Sequence, residues 1–298
     1  MTTNKYVVSA CRRRALLAHS LGLGLVAGLG LPLGALAQER TALEKIRDSG
    51  TLKVALYKDN APYSNGPAAH FSGVDVALAE ALARQLGLHA TFLPFDAGEN
   101  MADDLRNMVW KGHYLGYGPA DLMLHVPIDK YFMEENRQAF IFAPYAREHL
   151  VVLHNPHTVP SVHTPEDLAG LRIQVEQGTG AASALLGYKG GLLRDRIALQ
   201  ADGMVAAGLV LEGQADAAFV SLAQAEAAVF QSGKDKASWA FSELVLPGVP
   251  PRGWAIGMAV KADNKALARL LDDALESVRK NGELLKIFQS AGLTLAAP

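Results

Sequence analysis

The chain has 298 residues, half of them hydrophobic and 19% charged, with 28 Lys and Arg against 30 Asp and Glu for a formal net charge of −2. That is a globular composition, long enough for one large or two medium domains. The near-neutral balance and the lack of a long Lys/Arg run exclude an electrostatic footprint for nucleic acid.

Residues 1–37 read as a signal peptide. A basic stretch (Arg12, Arg13, Arg14) precedes an apolar run from about Leu21, and Ala35-Leu36-Ala37 supplies the small residues a signal peptidase accepts, so cleavage is expected near Ala37. Glycines and Pro32 break the run, which argues against an uncleaved anchor, so no stable membrane insertion is expected after processing. Arg13-Arg14 also fits a twin-arginine signal, and a basic stretch alone equally serves the general export route. The lone cysteine, Cys11, precedes the apolar run. The mature chain would therefore hold no disulfide, thiolate metal site or cysteine nucleophile, and the expected location is the periplasm.

Beyond residue 40 the pattern alternates between strand and helix. A short amphipathic turn ends at Gly50, and Thr51 to Tyr57 alternates as a strand. Val74 to Leu86 keeps helical spacing up to Gly87, His89 to Phe95 reads as a strand, Met101 to Lys111 as a helix and Ala120 to Leu124 as a third strand. The pattern then restarts. Strands are expected at Leu150–His154, Leu171–Val175 and Ala215–Val220, with helices from Ala181, Met204 and Ala223. Thr164 and Pro165 open a helical turn as N-cap and first residue. Trp254 to Val260 is a last strand and Lys265 to Asn281 a long amphipathic helix stopped by Gly282. Such alternation predicts two α/β lobes, the final segment returning to the first.

The landmarks Phe71-Ser-Gly-Val-Asp, Ala120-Asp-Leu, Ala143-Pro-Tyr, Pro165-Glu-Asp-Leu-Ala-Gly, Val175-Glu-Gln-Gly-Thr, Gly213-Gln-Ala-Asp-Ala and Trp254-Ala-Ile-Gly-Met-Ala-Val-Lys occur in that order. Together they resemble the family 3 extracellular solute-binding proteins, which deliver polar amino acids to ABC importers. The resemblance covers the mature chain and implies a bilobed type II periplasmic-binding-protein fold with mixed, mainly parallel sheets. Two hinge strands, near 146–150 and 246–252, would divide the chain into a first lobe (38–147 and 248–298) and a second (148–247). It further implies a monomer that takes a small polar or anionic ligand between the lobes, without a cofactor, and meets an ABC permease.

Amino-acid binders of that family hold the α-carboxylate with an arginine after the third strand and with a Gly-Thr at a helix N-terminus. An aspartate after a later strand takes the α-ammonium. Gly178, Thr179 and Gly180 match the second feature. Ser221 stands where the aspartate is expected, and it cannot neutralise an ammonium. Glu226, further on, is expected on the solvated face of its helix. In place of a compact arginine motif the chain runs His125-Val-Pro-Ile-Asp129 and reaches Arg137 only eight positions later. His125, Asp129 and Arg137 are therefore candidate cleft residues, Arg137 with a surface role as its alternative. Tyr63 is a candidate ring against the ligand. The segment 121–138 is expected to wall the cleft, and an aromatic insertion (His113, Tyr114, Tyr117) to be a loop, lid or partner surface.

Two other chemistries were weighed. His113, His125 and Asp129 are metal-competent types without a metal motif, so no metal is expected. No nucleophile elbow surrounds Ser183 or Ser221, and the chain is read as a non-enzyme, with a cyclohexadienyl-dehydratase-like activity the lesser alternative. The lost aspartate and Leu124-His125-Val126-Pro127 also resemble the J proteins of methanol-oxidation clusters, which implies an accessory role beside a periplasmic quinoprotein dehydrogenase.

Overall fold

The computed structural model describes residues 41–298. The signal segment, its Ala37 site and Cys11 lie outside the described residues.

Helix α1 (Ala42–Ser49) carries a capping box between Thr41 and Glu44 and stops at Gly50 in the left-handed conformation. Strand β1 (Thr51–Tyr57) follows, then the short ribbon β2 (Asp59–Asn60) and β3 (Ser64–Asn65), helix α2 (Val74–Gln85) and strand β4 (His89–Phe95). Helix α3 (Met101–Leu105) passes into a π-turn over Arg106–Trp110, and strand β5 (Leu122–Pro127), helix α4 (Lys130–Glu135) and strand β6 (Ala139–Glu148) come next. The second half runs β7 (Leu150–His154), β8 (Ile173–Glu176), α5 (Gly180–Gly187), β9 (Ile197–Gln200), α6 (Gly203–Leu211), β10 (Ala217–Ser221), α7 (Leu222–Gln231) and β11 (Ala240–Glu243). Strand β12 (Trp254–Lys261) and helices α8 (Lys265–Lys280) and α9 (Glu283–Ser290) finish the chain.

Two five-stranded sheets result, ordered β4-β1-β5-β12-β6 and β11-β7-β10-β8-β9. The first pairs β1 in parallel with β4 and β5, while β12 enters antiparallel between β5 and β6. The second pairs β8 in parallel with β9 and β10, and β7 antiparallel with β10 and β11. The sheets are mixed as expected. They are also mainly parallel in direction: four of the five strands in each sheet run the same way, with β12 reversed in the first and β7 in the second.

Helices cover both faces of each sheet, so strands such as β10 are buried throughout. In the first lobe Leu78, Leu82, Leu271 and Leu275 fill one face and Leu105, Met108 and Val109 the other. In the second, Leu168 and Leu185 pack opposite Val210 and Val229. The chain changes sheets at His149, between β6 and β7, and returns along 244–253. Those two crossings run side by side, since Trp254 is in register with Glu148. Gly253 makes the approach feasible: its φ is +64°, and a Cβ there would lie 1.7 Å from the Glu148 carbonyl oxygen.

Candidate functional site

A cleft of about 300 Å³ lies between the sheets. The first lobe contributes Asn60 and Tyr63, the crossings Glu148 and Trp254, and the second lobe Glu176, Thr179, Gly180, Ser221 and Gln224. Its size falls at the low end for small-molecule sites, about 300–1,000 Å³.

Behind Tyr63 stands a buried polar cluster built by a distortion of β5. His125 has φ +61°, and the β5–β12 register shifts between Gly257 and Ala259. A bulge of this kind re-aims a side chain, here inward from the strand. A second irregularity in β6, with Ala143 at φ +51°, precedes Tyr145. Gly257 lies between the two distortions, where a Cβ would come within 2.6 Å of Ile128 and of the Phe142 carbonyl oxygen.

Asp75, in the first turn of α2, is fully buried. Its Oδ2 lies 3.0 Å from His125 Nδ1, and its Oδ1 accepts from the Tyr145 hydroxyl at 2.7 Å. His125 Nε2 faces Glu148 Oε2 at 3.5 Å, and its ring meets Tyr63 edge-on with centroids 4.4 Å apart. Burial disfavours the imidazolium, but the Asp75 and Glu148 hydrogen bonds and charges outweigh it and raise the His125 pKa to about 10. One imidazolium is thus shared by two carboxylates. Burial, followed by the charge of Glu148 at Tyr63 and of Asp75 at Tyr145, holds both phenols well above their ordinary pKa, so both remain protonated.

The second-lobe wall is built from helix caps. The Thr179 hydroxyl donates to the Glu176 carbonyl oxygen at 2.8 Å and accepts from Ala182 N–H at 3.1 Å, as the N-cap of α5. Ser221 caps α7 through a reciprocal box with Gln224. Gln224 Nε2 then donates to Glu176 Oε2 at 2.9 Å, and the Gly203 N–H opening α6 donates to the same oxygen at 3.1 Å. Burial raises the Glu176 pKa, and those two donors oppose the rise.

Of the residues singled out in the sequence, Tyr63, Thr179, Gly180 and Ser221 line the cleft, and His125 sits one layer behind it. Gly178 forms the left-handed turn before α5 and does not line the cleft. Asp129 is the N-cap of α4, accepting from Phe132 N–H at 2.9 Å. Arg137 is exposed, donates to the Glu134 carbonyl oxygen at 3.0 Å and borders a separate depression with Lys130 and Met133. No residue of 121–138 lines the cleft. Glu226 is not on a solvated face: it is buried, paired with Lys236 at 2.5 Å, and it accepts from the Thr294 N–H and hydroxyl, both at 2.7 Å, so it ties α7 to the C-terminal tail. His113 stacks on Tyr117 at 4.3 Å and Tyr114 is exposed, all outside the cleft lining.

The sequence reading missed Asp75, Glu148, Glu176, Gln224 and Trp254. Asp75 had a legible signal, since it occupies the apolar stripe that α2 continues through Leu78, Ala79 and Leu82. The remaining four look like ordinary strand-end or helix residues until the crossings bring them together.

The fold is that of the bilobed type II periplasmic-binding proteins. No family model and no curated protein matches the chain. Among solved structures it is similar to an ancestral cationic amino-acid solute-binding protein, at TM-score 0.63 and 20% identity over 85% of this chain and 100% of that one. It is also similar to an amino acid ABC transporter substrate-binding protein from Streptococcus pneumoniae Canada MDR_19A bound to L-arginine, at TM-score 0.60 and 19% identity over 86% of this chain and 100% of that one. A third is an ancestral amino-acid-binding protein described as a precursor of cyclohexadienyl dehydratase, at TM-score 0.58 and 19% identity over 85% and 100%.

Proposed function

We propose that this chain is an exported solute-binding protein that captures a small polar ligand between its two lobes in the periplasm and delivers it to an ABC permease. The observation that carries this reading is the cleft itself. It opens where the two crossings meet and draws its walls from both lobes, so lobe closure would enclose a ligand on all sides. Relatives in fold that hold arginine support it. The buried His125 cluster braces the first-lobe wall and is read as structural, so the chain is proposed to bind and not to catalyse.

Genetic and biochemical arms test the reading together. Neighbouring permease and ATPase genes, with stabilisation of the purified protein by a small solute, are expected. Turnover of prephenate or arogenate would instead support the dehydratase reading.

A second reading has one observation in its favour. Among the described residues the cleft lining contains neither Arg nor Lys, and Ser221 stands at a position where amino-acid binders place an aspartate. Loss of both clamps suits an accessory protein of a quinoprotein dehydrogenase. Co-purification with such a dehydrogenase, and no stabilisation by any solute, would favour that role.

A further inference from the structure

The residues facing the cleft carry an imbalance of charge. Glu148 is nine-tenths buried and Glu176 partly so, and the two lie close enough for the Glu148 charge to disfavour ionisation of Glu176. Among the described residues the one ion-pair partner of Glu148 is His125, shared with Asp75, which holds the imidazole at the shorter distance of 3.0 Å against 3.5 Å. Glu176 spends Oε2 on Gln224 and Gly203, and its Oε1 has no partner among the described residues. Among the described residues no Arg or Lys lines the cleft. Carboxylates withdrawn from water without a counter-charge are costly, and a bound cation removes that cost.

The same wall is poor in means to hold a carboxylate. Arg137 lies elsewhere, and the Thr179 hydroxyl is committed at both ends of its cap. A carboxylate at the α5 N-terminus would also sit beside Glu176. The apolar part of the lining includes Trp254, whose ring suits an alkylammonium. A buried Asn60 Nδ2 without an acceptor adds one neutral hydrogen-bonding point. The volume, about 300 Å³, corresponds to about ten waters at ~30 Å³ each, which limits the ligand to a small molecule.

We propose that the cleft selects a small organic amine lacking a carboxylate, its ammonium held between Glu148 and Glu176 and its alkyl body against Trp254. This rests on the solute-binding reading above and names the ligand class for it. Among the described residues no cluster of three or more metal-ligating side chains exists, so the proposal concerns an organic cation.

Calorimetric titration of the purified protein at neutral pH and low salt tests it with n-butylamine, 1,4-diaminobutane, butan-1-ol, butyrate, L-glutamate and L-arginine. The amines are expected to bind, with butyrate and glutamate at least about tenfold weaker. Glu176→Gln keeps a hydrogen-bond acceptor for α6 and Gln224. It is expected to weaken amine binding about tenfold or more without lowering the thermal midpoint of the free protein. Butyrate, glutamate or arginine binding as tightly as the amines overturns the ligand class and leaves the solute-binding reading standing. Unaltered amine affinity in Glu176→Gln also overturns it. No binding by any of the six overturns the class, and extending the silence to a broad solute panel removes the solute-binding reading as well.

Discussion

His125 is the residue on which the first-lobe wall depends. It occupies a strained left-handed conformation, a cost on the order of 1–3 kcal/mol that the Asp75 and Glu148 contacts must offset. Removing it as His125→Ala would leave two carboxylates sharing a buried site, and a loss of about 3–5 kcal/mol in unfolding free energy is expected from chemical denaturation. The pH dependence has a definite sign. Folding raises the imidazole pKa from 6.5 to about 10, so its stabilisation is complete below pH 6.5 and is lost as pH rises through about 10. The thermal midpoint should therefore fall between pH 7 and 10, and His125→Gln should flatten that slope; an equal slope in both proteins would contradict the assignment. Tyr145→Phe deletes one hydrogen bond to a charged group and should cost about 1.5–3 kcal/mol.

The elements with a continuous signal in their own residues were legible in the sequence. β1, β4, β7, β10 and β12 each present an apolar run or alternation, and α2 and α8 keep a clear 3.6-residue period. β6 was not recognised, because Ala143 and Pro144 interrupt its ten residues and its pairing exists only through the returning β12. The edge strands β9 and β11 are four residues each and only half-buried, so they lack a hydrophobic pattern of their own. α9 follows Gly282 directly, and a glycine that ends one helix gave no cue that another begins. The cleft followed the same logic. Cap residues such as Thr179 and Ser221 announce themselves by local spacing, whereas Glu148 and Glu176 acquire their role from a partner distant in sequence. The crossings offer a test at this scale. Gly253→Ala would drive a methyl into the Glu148 carbonyl, so a loss of about 3 kcal/mol or more is expected by denaturation, against little change for Gln214→Ala on the surface.

At the scale of the whole molecule, the chain passes between two sheets by one pair of crossings, and the cleft between them is small, carboxylate-lined and, among the described residues, free of Arg and Lys. The core of the first sheet also takes in Ala223 and Ala227 of α7, and Glu226 ties that helix to the C-terminal tail, so the crossings are not the sole link between the two halves. Gly180 lines the cleft and a Cβ added there meets no neighbour, so a large side chain at this position is expected to enter the cavity. Calorimetric titration of the native protein and of Gly180→Phe against amines, amino acids, organic acids and alcohols is the most direct test of interlobe capture. The account predicts saturable one-to-one binding of a small solute to the native protein, abolished in Gly180→Phe while its thermal midpoint is retained. Undiminished binding by Gly180→Phe, or no saturable binding of any solute by the native protein, would contradict it.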